Sequence, residues 1–106
     1  MTQNYEVTNE WTIFKGGLKC KGKVAELVKV YVDFLDSMSK LYKYNKNIVN
    51  ISTVWNTINR LYLELKQISP IGDYIGLEIH IHYCSEELGA ALEPFNEMYN
   101  KYGNAF

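Results

Sequence analysis

Between Val24 and Tyr42 the apolar side chains recur every three or four residues: Val24, Leu27, Val28, Tyr31, Phe34, Leu35, Met38, Leu41 and Tyr42. At 3.6 residues per turn they fall on one side of a cylinder. Glu26, Lys29, Asp33, Asp36, Lys40 and Lys43 fall on the other. A strand cannot sort these residues by face, so the spacing predicts a helix from about Lys23 to Tyr44. Lys29–Asp33 and Asp36–Lys40 stand at i,i+4, where an ion pair adds about 0.2–0.5 kcal/mol. Val30 and Val32 widen the apolar face, and so wide a face needs more than one neighbour.

Asn45-Lys46-Asn47 reads as a connection, followed by a second helix to about Ser69. Asn50 or Ser52 would cap its start, with Val49 and Val54 as a hydrophobic staple. Val54, Trp55, Ile58, Leu61, Tyr62, Leu65 and Ile68 form its stripe, Leu63 points away, and Pro70 ends it. A connection this short makes the two helices antiparallel neighbours.

Upstream, Tyr5 and Val7, then Trp11 and Ile13, alternate with polar residues as strands do. Thr8-Asn9-Glu10 is one candidate turn and Gly16-Gly17 the other, and the alternation is compatible with both. Downstream, Ile75, Leu77, Ile79, Ile81 and Tyr83 alternate with Gly76, Glu78, His80 and His82. Period two with β-branched residues predicts a half-buried strand, against the rival of a helix continuing to residue 102. Ser85 would cap a last helix carrying Leu88, Ala91, Leu92, Phe95, Met98, Tyr99 and Tyr102 inward, with Gly103 as C-terminal cap. Pro94 would kink or split this helix near Leu92. The expectation is a single α+β domain over residues 1–106: an antiparallel helical hairpin plus a C-terminal helix packed on a small antiparallel β-sheet. The rival is an all-α four-helix bundle.

Hydrophobic residues make up 47% of the 106, enough for a core without a metal or disulfide. No apolar run reaches the roughly 18 residues of a membrane span. The polar Met1–Glu10 lacks the apolar stretch of a signal peptide. With only two cysteines, Cys20 and Cys84, a cytoplasmic protein is expected. Lysine outnumbers arginine ten to one, a bias that accompanies AT-rich coding, as in low-GC bacteria, their phages or some parasites.

Charge divides along the chain. Lys15 to Lys46 holds eight lysines against Glu26, Asp33 and Asp36, whereas Asn47 to Phe106 holds three cations against seven carboxylates. Complementary charge within one fold or between two copies explains this, and a basic face for a polyanion is the sharper alternative.

Three groups of residues are candidates for function. If 75–83 is a strand, Glu78, His80, His82 and Cys84 share a face at steps of about 6–7 Å, and imidazole and thiolate are ligands that zinc prefers. Lys40, Lys43 and Lys46 interleave with Tyr42 and Tyr44, a pattern that can grip phosphates and stack a base. A net charge of −1 weighs against nucleic acid. Nine tyrosines and two tryptophans exceed what a small core uses, and such rings favour protein interfaces. Tyr31, Tyr62, Tyr83 and Tyr99 are assigned to the core; Tyr44, Tyr74, Trp11 and the outward Leu63 are the exposed anchors. No phosphate-binding loop, dinucleotide fingerprint or nucleophile elbow is present. The expected function is therefore non-enzymatic binding of another protein, as an inhibitor, immunity protein or adaptor, alone or as a homodimer. A metal-binding protein and a nucleic-acid accessory protein are the alternatives.

Overall fold

A computed structural model describes the backbone of residues 5–102 and the side chains of residues 5–95. Three strands, β1 (Tyr5–Thr8), β2 (Trp11–Phe14) and β3 (Lys19–Cys20), precede four helices, α1 (Gly22–Tyr44), α2 (Ile51–Ile68), α3 (Gly72–Tyr83) and α4 (Glu86–Tyr102). The fold is α+β, with the strands in one antiparallel sheet of order β1-β2-β3.

Both candidate turns are used. Asn9 takes the left-handed region with φ of 39°, which sets Tyr5 opposite Phe14 and Thr8 opposite Trp11. Gly16 and Gly17, with φ of 93° and 92°, reverse the chain again and set Thr12 opposite Cys20. These φ values suit glycine because it has no Cβ to clash. Thr12, Phe14 and Cys20 are buried, and β2 and β3 both pack on α1.

α1 touches the sheet and every other helix, as its broad apolar face requires. Val28, Val32 and Leu35 are wholly buried, whereas Val30 is exposed. Burial also takes in Ala25 and Ser39, outside the expected stripe, and leaves Leu41 exposed. Asp36 pairs with Lys40 at 3.0 Å as the spacing predicts. Lys29 pairs with Glu26 at 3.2 Å instead of Asp33.

The connection to α2 contains a single 3₁₀ turn, Lys46–Ile48. Asn50, not Ser52, caps α2: its side-chain oxygen accepts from the Thr53 N–H at 3.1 Å. Val49 and Val54 bury together as the staple. Asn50→Ala is expected to cost about 1 kcal/mol, read as a lower urea midpoint.

The region expected to be a strand is α3. The alternation misleads because period two contains period four. Ile75, Ile79 and Tyr83 stand at i, i+4, i+8, which is one helical face, and all three are buried. Leu77 and Ile81 stand on the opposite face and are exposed. Gly72 and Gly76, one turn apart, let α3 press on α2. A Cβ at Gly72 would lie 2.8 Å from the Lys66 Cα, and one at Gly76 would lie 2.7 Å from the Tyr62 ring. The β-branched residues therefore sit in a helix because tertiary contact outweighs their weak strand preference.

Ser85 caps α4, accepting from the Leu88 N–H at 3.2 Å. The Ser39 hydroxyl, buried in α1, accepts from the Ser85 N–H at 3.0 Å and fixes the α3–α4 connection. Pro94 does not split α4, which continues to Tyr102. The expected cap Gly103 and the side chains of Met98, Tyr99 and Tyr102 lie outside the described residues.

Two apolar cores result. One joins Phe14, Val28, Tyr31, Leu35, Leu65 and Ile79, between the sheet and α1, α2 and α3. The other joins Val49, Val54, Trp55, Leu88 and Leu92, between α2 and α4, with Phe34 and Met38 of α1 against it. Tyr31 and Tyr83 are buried as expected, and Tyr62 is half-buried.

Candidate functional site

The helical form of α3 disperses the residues proposed as metal ligands. Glu78 and His82, one turn apart, face each other with 3.4 Å between Oε2 and Nε2. The His82 ring packs against Gly16, where a Cβ would overlap it. His80 turns to another side of the helix, into a cavity beside Trp55 and Tyr62. Cys84 lies just past α3, half-buried between the two cores. The shared face was a consequence of the strand assignment and goes with it. Among the described residues, no three His, Cys, Asp or Glu side chains stand close enough to hold one metal ion.

Burial pushes the Cys84 thiol up to about 11, and a hydrogen bond with Ser39 only partly offsets this. Cys20 is also raised by burial, and both thiols are free. A nucleophilic cysteine needs the opposite shift.

Burial lowers the pKa of His80, with Glu93 opposing the shift. As pH falls, the unfolded chain therefore takes up this proton before the folded one does. The stability associated with neutral His80 is complete above about pH 6.5, the unfolded value, and is lost as pH drops towards the folded value. The urea midpoint is expected to be lower at about pH 5.5 than at pH 7.5. His80→Gln should remove most of that difference, and an unchanged difference would assign it to other groups.

The basic segment is solvated and partly occupied. Lys40 is paired with Asp36, Lys46 lies over the Tyr42 ring at 5.9 Å, and Lys43 is exposed. Tyr44 is 85% exposed at the end of α1. Trp11 on β2 is exposed beneath the Lys21 ammonium, 4.9 Å from the ring centroid. Leu63 is exposed on α2 and Tyr74 on α3. The four expected anchors thus occupy four different elements.

Tyr74 has company that the strand reading missed. With Leu77 and Ile81 it forms an i, i+3, i+7 row along the outward side of α3, and each of the three is more than half exposed. Reading residues 72–83 as a helix, with Gly72 and Gly76 at i,i+4 for close approach, would have revealed this row from the sequence.

Two hollows accompany these surfaces. A groove of about 880 Å³ lies between the Asn9 turn, the start of α1 and the end of α2, with Val7, Val30 and Ile68 on its walls. A cavity of about 330 Å³ lies between the helices, lined by Tyr31, Trp55, Tyr62 and His80. No helix among the described residues is long and apolar enough to cross a membrane. No protein-family model matches the chain, and comparisons with curated proteins and with solved structures returned no match.

Proposed function

We propose that the protein is a non-enzymatic binding protein that docks on another protein through the outward face of α3. The supporting observation is that α3 is apolar on both sides. Ile75, Ile79 and Tyr83 are covered by the rest of the fold, while Tyr74, Leu77 and Ile81 are 56%, 58% and 60% exposed. A helix that is apolar all round is normally enclosed, and an uncovered side is surface available to a partner. The i, i+3, i+7 spacing is that of a helix laid into a groove, and Tyr74 supplies the ring type that interfaces favour.

In this reading the protein acts as an inhibitor, immunity protein or adaptor in the cytoplasm, of the kind encoded by phages and mobile elements. The two free thiols suit a reducing compartment. A second copy of the chain is another body that could meet this face, and light scattering distinguishes it from a foreign partner.

The test is affinity capture from the source cell with quantitative mass spectrometry, comparing the wild type with Tyr74→Ser/Ile81→Asp. Both positions are exposed, so the double variant is expected to unfold at nearly the wild-type temperature. It should recover the partner at least about tenfold less well, equivalent to about 1.4 kcal/mol of binding. Equal recovery by the two proteins removes α3 as the docking face. A strictly monomeric wild type at high concentration removes the homodimer.

A further inference from the structure

A cavity of about 330 Å³, partly open to solvent, lies where the two apolar cores meet and is lined by residues of α1, α2, α3 and α4. The rings of Tyr31, Trp55 and Tyr62 wall it, Ile58 and Leu92 add aliphatic surface, and Asn59 and His80 add polar atoms. A few placed polar groups among aromatic walls are the composition of small-molecule sites, and the volume sits at their lower limit.

Three observations describe what would fit. First, Gly76 lines the cavity, and a Cβ there would strike the Tyr62 ring at 2.7 Å, so the missing side chain keeps the space and the ring in place. Second, Tyr31 is only 2% exposed, and no hydrogen bond within the described residues uses its hydroxyl. No fully buried polar atom is left without a partner among these residues, so this hydroxyl retains some open volume, and the cavity is a volume that Tyr31 lines. Third, the charge at the rim is already taken. The Asp73 carboxylate accepts the Tyr62 hydroxyl and pairs with Lys66 at 3.5 Å. Burial favours the neutral form of His80, which offers one ring donor and one ring acceptor.

We propose that this cavity binds a small, uncharged, flat aromatic molecule of one or two fused rings, held between the Trp55 and Tyr62 rings with a hydrogen-bond acceptor on the Tyr31 hydroxyl. A charged ligand would give up its hydration without an unengaged counter-charge. A purely aliphatic one would leave the hydroxyl unpaired. The site is independent of the docking reading: Leu77 touches both, but the variants that test each spare it.

Isothermal titration calorimetry with quinoline tests the proposal, with naphthalene as the isostere lacking an acceptor and benzoate as the charged control. Quinoline is expected to bind saturably with a Kd of about 1 mM or tighter, and benzoate not to bind. Tyr31→Phe removes one hydroxyl at almost constant volume. It should weaken quinoline about fivefold and leave naphthalene binding no weaker, since naphthalene leaves the hydroxyl unpaired. Ile58→Phe should fill the space and abolish binding of both; if that variant fails to fold, Tyr31→Phe still decides the matter. Absence of saturable quinoline binding to the wild type overturns the proposal, as does quinoline binding of equal strength to wild type and Tyr31→Phe.

Discussion

Gly72→Ala is expected to destabilise the protein by about 3 kcal/mol, at the upper end for overpacking a well-filled site. In an exposed helix the same change would stabilise by about 1 kcal/mol, because alanine is the better helix former and loses less backbone freedom on folding. Here the added methyl would stand 2.8 Å from the Lys66 Cα, 3.0 Å from its nitrogen and 3.1 Å from the Leu65 carbonyl oxygen. All three are backbone atoms of the last turns of α2, and backbone cannot rotate aside. α3 would have to lift away from α2, loosening Ile75 and Ile79 in the core. Gly76→Ala meets a tyrosine ring instead, which can turn, so its expected cost is smaller, about 1 kcal/mol. Urea unfolding followed by far-ultraviolet circular dichroism measures both. A Gly72→Ala protein as stable as the wild type would mean that α2 and α3 are not in the contact described.

Leu35→Ala is expected to cost about 3–4 kcal/mol, a large part of the 5–15 kcal/mol that holds a domain of this size together. Leu35 is 0% exposed and packs in the core between the sheet and three helices. Truncation loses the transfer free energy of the removed carbons and leaves a void that a middle helix held from several sides cannot close. Leu41→Ala, six residues on in the same helix, is expected to cost less than about 1 kcal/mol, since Leu41 is 40% exposed. The pair should be compared at a constant denaturant slope. Similar losses at the two positions would mean that α1 is rotated from the orientation described.

Leu35 and Leu41 also show how far periodicity reaches. Both belong to the same three-and-four stripe, and spacing alone ranks them equally. The hidden side of α1 is set by where the sheet, α2, α3 and α4 lie, and those contacts draw in Ala25 and Ser39 while leaving Leu41 in water. Local signals served better where the chemistry is local. The Ser85 cap, the halt at Pro70, the Asn50 cap expected beside Ser52, and the two turns expected as alternatives, both of which form, involve groups within a few residues of each other. The candidate sites were less legible. The Glu78, His80, His82 and Cys84 grouping depended on strand geometry, and the α3 row and the aromatic cavity depend on helix geometry.

The sequence by itself determined the two long helices, their antiparallel pairing, the strand-forming N-terminus and the capped last helix. In these segments hydrophobic period, capping residues and turn residues point to the same local conformation. Only the tertiary structure decided residues 72–83. Their alternation serves a strand or a two-sided helix equally well, and the choice falls to glycines 72 and 76, whose missing side chains matter only once α2 lies against them. The same contact that made this segment helical turned Tyr74, Leu77 and Ile81 outward and left the cavity beneath Tyr62 open.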